Sequence, residues 1–292
     1  MSASPLIPEA RARVNDLPVD PRAPALSLFD RGFAYGDGVF EVLRTYNRRP
    51  FGLEDHLARM NRSAAALGIP MGAPNARWIA QVDEVLRECP WPESTVRLTL
   101  TRGIAPPGVA PLRTGPPTRI VMAYALPTIP AIADAGVTVI TVRGPRALRS
   151  GVSQGHKTLE YLTSVMALRE AQGAGAQDAI FLTGEGAVIE GASANVVVIS
   201  GGVVRTTGDE VHALPGVTLR VVLEAARAEG YRTERTRLTE TDLWTADEVF
   251  LTSSVRELVP VLQIDEHTVG DGRVGEGTRR IHARFRALVG AP

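Results

Sequence analysis

The chain has 292 residues, 44% of them hydrophobic and 22% charged, enough to bury one large or two modest cores. Its 32 Lys and Arg residues balance 32 Asp and Glu residues, which excludes a global field favouring nucleic acid, an acidic substrate or a membrane surface. One cysteine, Cys89, excludes a disulfide framework or cysteine-rich zinc site within the chain, and no metal site is expected.

Met1 to Asp20 holds Pro, Glu and Arg and lacks the apolar core of a signal peptide. No uninterrupted apolar run reaches membrane-spanning length, so a cytoplasmic protein is expected. The first strand-like run is Val39 to Tyr46, followed by an Asn47-Arg48-Arg49-Pro50 turn, a hairpin signal. An amphipathic helix spans about Leu53 to Leu67, with Leu57, Met60, Ala64 and Leu67 as its apolar stripe and Gly68 as its stop. A second helix, Trp78 to Arg87, leads to strands at Thr95 to Thr101 and Arg119 to Tyr124. Pro106-Pro107-Gly108 and Gly115-Pro116-Pro117 bound a surface loop.

Leu126 to Gly136, with two prolines, reads as a link. Beyond it come a strand (Val137 to Arg143), a helix (about Leu159 to Gln172) and a hairpin of Ala179 to Leu182 with Val196 to Ile199 around Gly184-Glu185-Gly186. A helix (Val217 to Glu229), a strand (Glu248 to Thr252) and a last helix (Glu276 to Leu288) follow. The alternation argues α/β or α+β in two lobes: a small domain over 1–126, a linker over 127–135 and a larger domain over 136–292.

Several features suit an anion. Leu214-Pro215-Gly216-Val217-Thr218 puts free helix-start amides and a hydroxyl together, though taken alone a plain helix start is the commoner reading. Thr252-Ser253-Ser254 ends a strand with hydroxyls and amides, or is simply a polar strand end. Arg59 lies off the apolar stripe with His56 and Ser63, where a solvated arginine is the plain reading. Glu190 could decorate a turn, and Lys157, at an expected helix start, could be an ordinary surface lysine.

Order and neighbours change this. Arg31-Gly32-Phe33-Ala34-Tyr35-Gly36-Asp37-Gly38-Val39-Phe40-Glu41 resembles the opening motif of the class IV (fold type IV) aminotransferases. That family includes D-amino acid and branched-chain aminotransferases and aminodeoxychorismate lyases. His56-Leu57-Ala58-Arg59, His156 to Tyr161, Glu190 to Asn195, Leu214 to Thr218 and Phe250 to Ser254 resemble its later motifs in the same order, across nearly the whole chain. Ala246 to Phe250, Pro260-Val261 and Ile264-Asp265 are similar too.

The resemblance implies a small N-terminal and a larger C-terminal α/β domain with pyridoxal 5'-phosphate between them, in at least a homodimer. It implies that Lys157 forms the Schiff base and moves the proton, and that Glu190 keeps the pyridine nitrogen protonated. Tyr161 and Asn195 would support the ring, and Arg59, Val217, Thr218, Ser253 and Ser254 would bind the phosphate. Such residue types suit the chemistry. A neutral lysine is nucleophile and base, and a carboxylate at the ring nitrogen lets the ring accept electrons.

Substrate preference is read from the departures. D-amino acid aminotransferases of the familiar type hold the substrate carboxylate with Arg-x-His after Thr-Arg-Gly. Here Pro107 and Val109 follow Thr101-Arg102-Gly103 in those places, and Phe40 replaces a tyrosine. Phe40, Val42 and Arg44 alternate onto one strand face, and Arg97, Thr99 and Thr101 share a face of theirs. Arg44 and Arg97 could therefore clamp a carboxylate, or could pair with acidic side chains. Tyr35, Phe40 and Arg97 resemble branched-chain enzymes, but Gly-Asp-Gly replaces their Gly-Thr-Ser. Lyases share Gly-Asp-Gly and a similar spacing from Arg149 to Lys157, but their Arg-Gly-Tyr loop is missing, with Pro107-Gly108-Val109 in its place.

The expectation is transamination between amino acids, D-amino acids first, and 2-oxo acids. A 4-amino-4-deoxychorismate lyase stands second and a branched-chain L-amino acid aminotransferase third. A non-catalytic relative would not need Lys157, Glu190 and Arg59 together.

Overall fold

The computed structural model describes residues 9–111, 113–131, 136–144 and 154–291. These fall into two compact units, one of residues up to Pro127 with His156–Glu160, the other of the remainder up to Ala291. Arg149 and residues 132–135 of the expected linker lie outside the described residues.

The first unit begins with β1 (Ala10–Val14), β2 (Leu17–Val19), α1 (Arg31–Tyr35), β3 (Gly38–Tyr46) and β4 (Arg49–Pro50). It continues with α2 (Leu53–Ala66), α3 (Asn75–Arg87), β5 (Ser94–Thr101) and β6 (Thr118–Ala125). The strands form one antiparallel sheet in the order β2-β1-β6-β5-β3-β4. The turn between β3 and β4 is two residues long, with Asn47 at φ 50° and Arg48 at φ 62°. Positive φ at both places is the hairpin geometry that matches strand twist.

Alternation along β3 decides what this unit can do. Val39 and Leu43 join Val96, Leu98, Leu100, Val121 and Ala123 in a core with Leu57, Met60 and Ala64 of α2 and Trp78, Val82 and Val85 of α3. Glu41 lies on that helix-covered face. Phe40, Val42 and Arg44 point the other way.

The second unit contains β7 (Val137–Arg143), α4 (Leu162–Gly173), β8 (Asp178–Leu182), β9 (Val188–Gly191), β10 (Asn195–Ser200) and β11 (Val203–Thr207). After these come α5 (Val217–Ala228), β12 (Arg232–Thr236), α6 (Glu240–Trp244), β13 (Glu248–Ser253), β14 (Glu257–Ile264), β15 (His267–Thr268) and α7 (Glu276–Leu288). Its mixed sheet runs β12-β11-β10-β13-β14-β7-β8-β9, with β15 on β14. Val139, Ile180, Val196, Val198, Leu251 and Val261 fill one core, capped by Leu238 and Leu243.

Two local expectations change. β8 turns back into β9, not into the run at Val196, which is β10 and pairs with β11 and β13. A tight turn closed by Gly191 N–H to Ala194 C=O (2.7 Å) separates β9 from β10. Lys157 is not at a helix start either, since α4 begins at Leu162. The stretch around it is extended, because Lys157 C=O accepts from Phe40 N–H (3.0 Å) and Gly38 C=O accepts from Leu159 N–H (2.9 Å).

Candidate active site

In the first unit the chemistry gathers around β3. The 157–159 segment adds to its edge, with Thr158 bridging Val39. Gly38 makes this approach possible: a Cβ there would stand 2.6 Å from Leu100 O and 2.7 Å from Leu159 Cδ1. Lys157 is half-buried, its N–H donates to Ser63 Oγ (3.2 Å), and its Nζ lies 4.7 Å from the Phe40 ring centroid. Lys157 is also the only lysine in the sequence, the rest of its 32 Lys and Arg residues being arginine.

Beneath Phe40 on the opposite face, α2 carries a polar stripe of His56, Arg59 and Ser63, all buried. Arg59 is thus not solvated. Its Nε and Nη2 donate to Glu41 Oε1 (2.7 Å) and Oε2 (2.6 Å), and His56 Nδ1 lies 2.8 Å from Oε2. Burial alone would raise the Glu41 pKa, but Arg59 and His56 overcome it and hold the carboxyl near 2. Burial lowers the His56 pKa, with the Arg59 and Lys157 charges adding to that, so its ring is neutral. An ionised Glu41 only accepts, which puts the His56 proton on Nδ1.

Arg44 and Arg97 do share a sheet face. Arg44 faces Thr95 and Val42 faces Arg97 across β3 and β5, making the two arginines diagonal neighbours. They cover different rings: Arg97 lies 4.0 Å from the Phe40 centroid and Arg44 4.3 Å from that of Tyr46. Tyr35 is elsewhere, on α1, where its hydroxyl accepts from Gly108 N–H (3.0 Å) and Arg31 stacks on its ring. Arg31 also donates to Gly108 O (2.9 Å) and Val109 O (2.8 Å), which orders the loop holding Pro107 and Val109.

The second unit builds its own cluster. The β9–β10 turn sets Glu190 and Asn195 at neighbouring strand ends, and both grip Leu214. Glu190 Oε2 accepts from Leu214 N–H (3.0 Å), and Asn195 Nδ2 donates to Leu214 O (2.8 Å). Leu214 then leads through Pro215 to Gly216, the N-cap of α5. A Cβ on Gly216 would come 2.1 Å from Asn195 Oδ1, so the close approach needs glycine. Val217 and Thr218 are buried in the first turn, and Thr218 Oγ1 donates to Ser254 Oγ (3.2 Å) just past β13. Thr252 Oγ1 is buried opposite Asn195 and has no hydrogen-bond partner among the described residues. Ser253 is half-buried at the strand end, and half-buried Tyr161 is the N-cap residue of α4.

Each unit carries groups that suit parts of pyridoxal 5'-phosphate: the first an amine for an aldehyde and a buried guanidinium for a phosphate, the second a carboxylate for a ring N–H and hydroxyls and helix-start amides for a phosphate. Sequence reasoning missed the pairing of Glu41 with Arg59 and the singularity of Lys157. A simple count of lysines would have found the last.

Comparison with known proteins agrees with this chemistry. The pattern of the family described as Amino-transferase class IV matches residues 38–264. A Methanocaldococcus jannaschii protein provisionally named a branched-chain-amino-acid aminotransferase is 35% identical over 270 residues, 92% of this chain and 93% of the relative. The D-alanine aminotransferase of Bacillus licheniformis is 35% identical over 273 residues, 91% and 92% of the two chains. The T.th. branched-chain amino acid aminotransferase solved with pyridoxamine 5'-phosphate is similar in structure, with a TM-score of 0.87 at 28% identity, over 97% and 95% of the chains.

Proposed function

Because the chain belongs to the class IV aminotransferases, which are pyridoxal-phosphate-dependent transaminases, we propose that it moves amino groups between D-amino acids and 2-oxo acids, with Lys157 as its working amine. One observation carries the role of Lys157. No other side chain of the sequence offers a primary amine, and its Nζ stands beside Phe40 on the β3 edge.

Bound pyridoxal 5'-phosphate supplies an aldehyde that receives the amino group and a ring that takes up an electron pair. Lys157 Nζ would take the proton from the substrate α-carbon and deliver it to the carbon of the cofactor's former aldehyde, the shift that moves the amino group. Glu190 would keep the ring nitrogen protonated, its Oε2 already being held by Leu214 N–H. Asn195 holds the same segment from its other side, and Tyr161 hydrogen-bonds the ring hydroxyl. Arg59, Val217, Thr218, Ser253 and Ser254 hold the phosphate.

The preference for D-amino acids is supported by the Bacillus licheniformis relative and by Arg44 and Arg97 on one sheet face, a second way to bind a carboxylate where Pro107 and Val109 offer no charge. Tyr35, Phe40 and the Methanocaldococcus jannaschii relative favour a second reading, branched-chain L-amino acids. A half-reaction panel followed by cofactor absorbance separates them. D-amino acids should convert the cofactor. Conversion by L-leucine, L-isoleucine and L-valine alone would install the second reading, and pyruvate from aminodeoxychorismate would indicate a lyase.

We also propose a homodimer in the cytoplasm. Leu28, Phe29, Phe33, Ile104 and Val109 expose a patch of large apolar side chains around α1. A sedimentation mass of twice 31.2 kDa supports this, and a monomer at micromolar concentration removes it. The one thiol, Cys89, is buried, in keeping with a reducing compartment.

A further inference from the structure

An arginine turned into the interior needs a counter-charge, yet a buried ion pair is often no more stable than apolar residues of the same volume. Such a pair therefore needs a reason beyond stability. Glu41, Arg59 and His56 are 0, 5 and 0% exposed.

The pair is side-on. Oε1 takes Nε–H and Oε2 takes an Nη2 proton, at 2.7 and 2.6 Å, so both planar groups lie in one fork and the guanidinium cannot turn about its Cδ–Nε bond. His56 donates to Oε2 from behind at 2.8 Å and fixes the carboxylate in turn. Nη1 and the second Nη2 proton form the edge turned away from Glu41, and that edge has one direction only. Resting on the reading of Arg59 as a holder of the cofactor phosphate, we propose that Glu41 is a positioning residue that aims this edge at the phosphate. The protein would then hold phosphorylated in preference to unphosphorylated pyridoxal.

The test measures cofactor release on dilution from enzyme loaded with pyridoxal 5'-phosphate or with pyridoxal, for the native chain, Glu41→Gln, Arg59→Ala and the double variant. Glu41→Gln should speed release of the phosphorylated form by about tenfold or more, with pyridoxal release changed less than about twofold. The double variant should be no faster than Arg59→Ala, since Glu41 acts only through Arg59. Equal acceleration for both cofactors, or additive losses in the double variant, would overturn the inference. If Arg59→Ala speeds both forms alike, the phosphate role of Arg59 itself falls. Should Glu41→Gln not fold, Glu41→Asp keeps the charge, withdraws it by one methylene, and should show the same selective loss.

Discussion

Arg44 and Arg97 occupy diagonal places on a sheet face that also holds Phe40, Val42, Thr95 and Thr99, so a carboxylate there would meet two guanidinium groups at once. Arg97→Ala and Arg44→Ala should each cost carboxylate substrates about 10- to 100-fold in kcat/KM, the worth of a charge-assisted hydrogen bond, and leave amines without a carboxylate nearly unaffected. Equal losses for both kinds of substrate would remove the clamp. Glu41 acts on stability as well. Its pKa is held near 2 in the folded chain against an ordinary 4.5, so its contribution is complete above about pH 4.5 and drains away as pH falls toward 2. His56 has its pKa lowered by burial and begins to oppose folding once pH drops below its ordinary 6.5. The native chain should exceed Glu41→Gln in unfolding free energy by about 3–5 kcal/mol at pH 7, and the gap should shrink steadily below pH 4.5. Chemical denaturation at pH 7, 5 and 3 reads this directly, and a constant gap would contradict it.

At the scale of elements, the decisive contact is a short extended segment laid against β3, and it depends on Gly38. Gly38→Ala places a methyl group against Leu100 O and Leu159, and should lift the 157–159 segment from the strand. The expected result is loss of the bound cofactor's absorbance, with a stability cost of about 1–3 kcal/mol. A variant with native absorbance and native stability would show the contact to be unimportant. This segment was not legible in the sequence. Leu159 and Tyr161 extend the helical pattern of α4 backwards, and only the open edge of β3 makes the chain extended there. The helices α2, α3, α5 and α7 were legible because each keeps an apolar stripe against its sheet. β14 was not, since Pro260 argues against a strand between two neighbours, yet it pairs with Phe250. The site's motifs could be read in order. The meeting of Glu41 with Arg59, 18 residues away in sequence, needed the packing of α2 on β3.

Across the whole molecule, the ordinary charge balance hides an unusual choice: of the 32 Lys and Arg residues, all are arginine except Lys157. Arginine keeps its proton and makes fixed forks, whereas a primary amine can lose its proton and attack a carbonyl. On the role proposed for Lys157 the reaction would depend on one side chain, and Lys157→Ala should abolish turnover while leaving unfolding temperature nearly unchanged. The same singularity gives a direct assay. Borohydride reduction of the loaded enzyme, followed by unfolding and digestion with a protease that cuts only after lysine, asks whether that amine carries the cofactor. The reduced chain should stay whole and bear one phosphopyridoxyl mass, because the modified side chain is no longer recognised. Cleavage into 1–157 and 158–292, with the label absent or on the N-terminal amine, would contradict the account.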